Sequence, residues 1–237
     1  DEDCWVCEGD RLVSSSSDLA ALASCRILDG DLTITAASTE ALDLGPLACL
    51  ETIDGDLEVE GNLALENLAG LGALVEVGED LLIEDNAALT SIDALTSLTS
   101  VGGKLRIEDN NLLTALLGLD SLQWVGDDLF VWDNDSVTDL DGLGSLVEVG
   151  GGLFITGNDS VAHLDGLSAL EVVSDDVDIG ANPSLTSIDG LQGLNSVGGD
   201  LRISDNESLC QTDAETVAAA LPVAGTTDVL GNMSPCL

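Results

Sequence analysis

Positive charge is almost missing from this chain. Its 237 residues hold five Lys and Arg against 45 Asp and Glu, a formal net charge of −40. The cations are Arg11, Arg26, Lys104, Arg106 and Arg202. Phosphate backbones and anionic lipid surfaces are bound by clustered cations, so neither nucleic acid nor anionic membrane is expected as a partner. Long apolar runs are missing too. No stretch approaches the ~18 residues a membrane-spanning helix needs, so no membrane insertion of this segment is expected. No secretory leader is visible and the first residue is Asp1, which we read as a processed mature chain. His163 is the only histidine. With so few bases, no Ser-His-Asp or Cys-His set is spaced for nucleophilic catalysis, and no enzyme activity is expected. A carboxylate pair at glycosidase separation would arise by chance among so many acids and carries no signal.

Against these absences stands a strict repeat. Leu57-x-Val59-x-x-Asn62 recurs at Leu81, Leu105, Leu129, Leu153, Val177 and Leu201, always 24 residues on. A fixed step of this size is the signature of a solenoid. Acidic low-complexity chains are often disordered, but the apolar register here predicts a folded one. Counting from each strand Leu, apolar residues fall at +2, +8, +11, +14, +17 and +20. The first pair alternates as a strand does; the later three-residue spacing is too tight for an α-helix and predicts arcs and short strands around a common interior. Glycine corners such as Gly102-Gly103 and Gly150 to Gly152 are expected to supply left-handed backbone. The Asn column, Asn62 to Asn206, is expected to point inward and bond the backbone at each corner. The acids Asp128, Asp176 and Asp200 are expected to accept turn hydrogen bonds. Leu32-Thr33-Ile34 reads as a first strand whose coil carries Ala37 in place of Asn, and Thr227-x-Val229-x-x-Asn232 as a last degenerate copy.

The expected fold is mainly β: a right-handed parallel β-helix, or leucine-rich-repeat-like solenoid, of about 24-residue coils with short helical caps at both ends. The chain reads as one domain over 1–237, with an N-terminal cap (1–31), repeat coils (32–206) and a C-terminal cap (207–237). Ser14 to Ser17 offer N-cap hydroxyls to a short helix from Asp18 to Ala23 that would cover the first coil. Thr212-Asp213-Ala214-Glu215 has the form of a capping box, and Pro222 stops the helix that follows. A chain this acidic must screen its own charge, which points to a saline setting or bound divalent cations.

Outward strand positions are +1 and +3. Three of the five aromatic residues, Phe130, Trp132 and Phe154, fall on this face in two adjacent coils. Leu82 and Arg106 continue the +1 row, and Trp124 is expected near the edge of the same face. Aromatic residues and Arg are enriched in interface hot spots, so these six residues are the candidate partner-binding set. Scattered surface hydrophobes or a homotypic contact are the competing readings. Glu60, Glu84 and Glu108 stack in one +3 column; a solvated acidic face is the plain reading, and a weak calcium site the sharper one. Beyond weakly bound calcium or other cations, no cofactor is expected. His163 is expected on the surface in a turn column.

Three stretches resemble the receptor L domain, the leucine-rich-repeat-like β-helix of insulin-receptor and epidermal-growth-factor-receptor ectodomains and of many microbial surface proteins. They are Cys25-Arg26-Ile27-Leu28-Asp29-Gly30-Asp31-Leu32-x-Ile34, the Leu-x-Gly-Leu-x-x-Leu-x-x-Val-Gly-Gly-x-Leu-x-Ile-x-x-Asn pattern from Leu140 to Asn158, and Asn206-Glu207-Ser208-Leu209-Cys210. The resemblance spans nearly the whole chain. It implies disulfides Cys7–Cys25 and Cys210–Cys236, leaving Cys4 and Cys49 as a third pair that the family does not dictate. Zinc at Cys4-x-x-Cys7 is the rival use of those thiols. It also implies a secreted or cell-surface recognition or adhesion module that binds a protein or glycan, in an oxidising compartment. The array is longer than a typical receptor L domain, and no cysteine-rich module, transmembrane helix or kinase follows, so growth-factor signalling does not carry over. The alternatives are a structural, self-associating surface protein and, last, a polysaccharide-active β-helix enzyme.

Overall fold

A computed structural model describes residues 5–236. Each 24-residue repeat forms one rung. Its Leu-x-Val/Ile-x tetrapeptide is a strand, as in Leu81–Glu84, Leu105–Glu108 and Leu129–Trp132. These strands pair in parallel and without slippage, Leu on Leu from rung to rung, into a ten-stranded sheet. The three-residue apolar spacing resolves into a 3₁₀ turn, such as Asp141–Leu143, followed by a two-residue strand, such as Glu148–Val149. A 3₁₀ turn has three residues per turn, so every third side chain faces the same way. The two-residue strands stack into a second parallel sheet of nine strands. The two sheets and the column of 3₁₀ turns enclose one core of Leu, Ile and Val running the length of the rod. Ten strands about 4.8 Å apart span roughly 43 Å.

The Asn column is buried, Asn86 to Asn206 being fully inaccessible. Asn134 donates from Nδ2 to the carbonyls of Ile107 (2.9 Å) and Trp132 (2.7 Å), and its Oδ1 accepts the Asn110 N–H at 3.1 Å. The same pattern passes along the ladder and ends where Asn232 accepts from Asn206. The aspartates one residue before most of these strands make a second ladder, broken by Lys104 and Gly152. Asp128 accepts the Gly152 N–H (2.8 Å), and Asp176 accepts that of Asp200 (2.7 Å).

The corner glycines act differently from expectation. Gly102 and Gly150 are not left-handed; a Cβ on either would run into the carbonyl of the glycine one rung below, Gly78 or Gly126. They are needed for close stacking. The left-handed turn sits just before each Asn, at Gly61, Asp85, Asp109, Asp133, Gly157, Ala181 and Asp205, with φ between 50 and 72°. Aspartate tolerates this region better than most residues, because its short polar side chain can bond locally.

The ends also differ. A helix, Ser16–Leu19, and a 3₁₀ turn, Ala20–Leu22, stack on the next 3₁₀ turn rather than across the open end. Trp5–Glu8 and Arg11–Val13 are therefore the terminal strands of the two sheets. At the other end the helix is Gln211–Ala220 with Cys210 as its N-cap, so Thr212 and Glu215 lie inside it and form no capping box. The turn through Asn206 and Leu209 starts the helix earlier than the pattern suggested. Thr227–Leu230 is the last strand of the ten-stranded sheet. Cys7–Cys25 joins the first strand to its neighbour, and Cys210–Cys236 closes the C-terminal turn. The third expected pair, Cys4–Cys49, involves Cys4, which lies outside the described residues. Among the described residues, no helix is long and apolar enough to cross a membrane.

Candidate functional site

The outer face of the ten-stranded sheet carries the site. In-register pairing puts Leu82, Arg106, Phe130, Phe154, Asp178 and Arg202 in one row, and Glu60, Glu84, Glu108, Trp132 and Thr156 in the row beside it. Stacking is enforced by the backbone, because side chains at one column of a parallel sheet lie about 4.8 Å apart.

Phe130 and Phe154 stack face to face, with centroids 4.8 Å apart and planes at 10°. Trp132 meets Phe130 edge-on at 4.9 Å and 70°, and Phe154 at 6.5 Å and 75°. Arg106 closes the other side, its Cζ 4.8 Å from the Phe130 centroid and 5.6 Å from that of Trp132. Phe130 was expected to be an exposed contact residue. It faces outward, yet only 7 % of it is accessible, because Arg106, Trp132 and Phe154 cover it. Phe130 is thus the floor of the cluster, and the half-buried Trp132, Phe154 and Arg106 form its surface. The Trp132 Nε1–H is buried without a hydrogen-bond partner in the chain.

Arg106 also lies 3.5 Å from Glu84 and 3.4 Å from Glu108. These are close ion pairs without hydrogen-bond geometry. Burial pushes both carboxyls above the usual glutamate range, outweighing the Arg106 charge, with neighbouring acids adding to the rise. Burial raises Asp133 and Asp178 as well. The Glu60, Glu84 and Glu108 column is in register, but its two inner members turn to Arg106. Among the described residues, no group of three or more acids, Cys or His is placed to hold a metal ion.

Trp124 is not part of the cluster. It lies on the Trp124–Val125 strand of the nine-stranded sheet, 40 % exposed, with its ring against Gly126. The corner at Gly126 to Asp128 turns the chain from one sheet to the other, which five residues of sequence do not reveal. Leu82 is half buried beside Arg106 in the row. His163 packs against Asp165 at 3.5 Å in a turn column.

Sequence reasoning missed Gly152. A Cβ there would lie 2.6 Å from two Phe154 ring carbons, so glycine makes room for the ring to fold back onto Phe130. The signal was present: the same column carries Asp128 and Asp176 in the flanking rungs. It also missed a cleft of about 240 Å³ beside Phe154, lined by Asp176, Asp178, Asp200, Arg202 and Asp228.

Fold and site define a parallel β-solenoid with one aromatic–guanidinium cluster on an acidic face. Compared with known proteins, the chain matches no protein-family model. No curated protein matches it either. Among the described residues, the disulfides Cys7–Cys25 and Cys210–Cys236 and the lack of a membrane-spanning helix are compatible with an extracellular protein.

Proposed function

We propose that this chain is an extracellular recognition or adhesion module of receptor-L type that binds a protein or glycan partner through the outer face of its ten-stranded sheet. The observation that carries the reading is the concentration of aromatic surface. Five aromatics serve 237 residues, and three of them pack with Arg106 on this one face. The solenoid needs none of them, since its core is aliphatic and other rungs carry Glu, Leu, Thr or Ser at the same columns. Trp, Tyr and Arg dominate interface hot spots, and the half-buried Trp132, Phe154 and Arg106 present such a surface here. The surrounding carboxylates favour a partner with cationic or hydroxyl-rich chemistry around an apolar centre. Disulfides at both ends support an oxidising compartment. The site offers a surface for binding, and no catalytic role is proposed for it.

The test is a screen of the immobilised chain against glycan and extracellular-protein arrays, beside Trp132→Ala/Phe154→Ala. These residues, rather than Phe130, are chosen because they form the accessible part of the cluster. The reading stands if a ligand of the wild type is lost in the double variant at an unchanged unfolding midpoint. Retention of every wild-type ligand by the double variant would remove this face as the binding site.

A further inference from the structure

We propose that folding and N-glycosylation exclude one another in this chain: its acceptor asparagines are open only while their rungs are unfolded, and a sugar placed on any of them blocks closure of the rung. Neither step involves the outer-face cluster.

Asn-x-Ser/Thr, with x other than Pro, is the acceptor pattern for N-linked oligosaccharide, and it normally marks a surface loop of a secreted protein. Here it occurs at Asn134-Asp135-Ser136, Asn158-Asp159-Ser160, Asn206-Glu207-Ser208 and Asn232-Met233-Ser234. All four asparagines belong to the buried ladder. The first three are fully inaccessible, and Asn232 is 8 % exposed. Asn182 shares the ladder, but Pro183 spoils its pattern. The exposed Asn67, Asn111 and Asn195 have Ala69, Leu113 and Val197 two residues on, so they are not acceptors. The repeat itself creates this coincidence, because Ser136, Ser160 and Ser208 fall in the column two residues after the ladder. Acceptors thus occur only where the fold closes over them.

The atom that would take the sugar is the atom the ladder uses. Asn134 Nδ2 donates to the carbonyls of Ile107 (2.9 Å) and Trp132 (2.7 Å). Asn158 Nδ2 does the same to Val131 (2.8 Å) and Thr156 (3.2 Å). Asn206 Nδ2 donates to the Ile179 carbonyl (3.0 Å) and to Asn232 Oδ1 (3.2 Å). Both amide hydrogens are therefore spent in each case. Glycosyl transfer from a lipid-linked pyrophosphate joins sugar C1 to Nδ2. The C1–O bond to the pyrophosphate breaks, that group leaves with the electron pair, and Nδ2 gives up one proton. One buried acceptor then loses its donor, and a bulky hydrophilic group stands where the core has no space.

Order along the chain sets when each site closes. The carbonyls that Asn134 and Asn158 bond come 27 and 2 residues before them, and their Oδ1 atoms accept the N–H of the ladder Asn 24 residues earlier. These partners already exist when the Asn is made. Each acceptor is thus open from synthesis until its rung docks on the one before, and transfer competes with docking over that interval.

Translation of the 237-residue chain behind a secretion leader, into microsomes that carry the transferase, tests this. Leu129→Asp/Leu153→Asp, which puts two charges into the core, supplies the same sequons in an unfolded chain. Mass spectrometry reports which asparagines carry glycan, lectin capture separates modified from unmodified molecules, and limited proteolysis reports folding. We expect glycan on the unfolded variant. Wild-type molecules that carry glycan should be digested at least about tenfold faster than those that carry none, because cleavage follows the open population. Wild type without glycan, beside a modified unfolded variant, also supports the proposal, since docking then outruns transfer. Glycan on Asn134, Asn158 or Asn206 in a protease-resistant molecule overturns it. So does an unfolded variant that acquires no glycan, which would mean that these asparagines are not acceptors in either state.

Discussion

The Arg106 guanidinium lies 4.8 Å from the centroid of the Phe130 ring and within 3.5 Å of the Glu84 carboxylate. One cation thus covers an aromatic ring and neutralises part of an acidic column. Arg106→Ala removes both functions. Cation–π contacts are worth about 0.5–2 kcal/mol, and half-exposed ion pairs add little. We expect a loss of about 1–2 kcal/mol in urea unfolding, with Arg106→Lys recovering only part, because an ammonium lacks the planar face. Wild-type stability in the alanine variant would show that the cluster is not held by this cation.

Asn134→Ala should act on stability and leave the outer face intact. It deletes two donors to buried carbonyls and strips the acceptor from the Asn110 N–H. Each unsatisfied buried group costs about 1–3 kcal/mol, so the unfolding free energy should fall by at least about 2 kcal/mol. Asn134→Asp should cost more, since it loses the donors and buries a charge. If either variant lost ligand binding at an unchanged melting point, the ladder would have a recognition role instead.

Gly152→Ala addresses chiefly the packing of Phe154, although its methyl would also stand 3.1 Å from the Asp176 carbonyl. The new methyl would occupy ring space, so Phe154 must swing away from Phe130. Near-UV circular dichroism should lose part of the aromatic signal while the far-UV spectrum stays the same. An unchanged near-UV spectrum would mean that the stack does not depend on this glycine.

Acid should stabilise the fold over a defined window. Glu84, Glu108, Asp133 and Asp178 are held above their ordinary values, burial being the leading cause in each. Their folded forms prefer the proton. The stability they contribute is fully present below the unfolded-state values and is lost as pH rises through the raised folded ones. Lowering pH from about 7 to about 5 should therefore raise the melting midpoint, and Glu84→Gln/Glu108→Gln should flatten that rise. Asp18 and Asp200 are held below the ordinary value, chiefly by backbone hydrogen bonds from Ser14 and Thr226. Their contribution is lost only in stronger acid, below the ordinary aspartate value. A midpoint that falls steadily from neutral pH to about 5 would contradict the assignment.

Salt should stabilise as well. With 45 acids on a rod of this size, repulsion weakens as the Debye length shrinks from about 10 Å at 0.1 M to about 3 Å at 1 M. Thermal unfolding in NaCl with a chelator present separates screening from specific divalent binding. A midpoint indifferent to salt would mean that the ladders and core already outweigh the repulsion.

Much of this architecture is legible in the residues, because the backbone repeats and every rung obeys the same steric rule. Leu129, Val131 and Asn134 announce their inward direction through six other copies. The burial of Phe130 was not legible. Period two gives the face a side chain points to, but whether it is covered depends on the conformations of Arg106 and Phe154 in the neighbouring rungs. Trp124 was misplaced for a related reason, since distance along the chain does not show which side of a corner a residue falls on. The glycines of the Val-Gly-Gly corners were misread because glycine serves two needs, positive φ and close approach, and composition does not separate them. The Asp85, Asp109 and Asp133 column carried the left-handed turn in plain view, hidden by the expectation that glycine would do so.

The Asn ladder has one further consequence. Every rung supplies its own donors and acceptors, and each passes the same unmet pair to the next. A 24-residue unit could therefore be duplicated or excised between Asn110 and Asn134, and the joint would heal with the same bonds. Length is then a counted quantity, adjustable in steps of one strand spacing, and the distance of the aromatic cluster from either end is a number of rungs that insertion or deletion can reset without redesigning the fold.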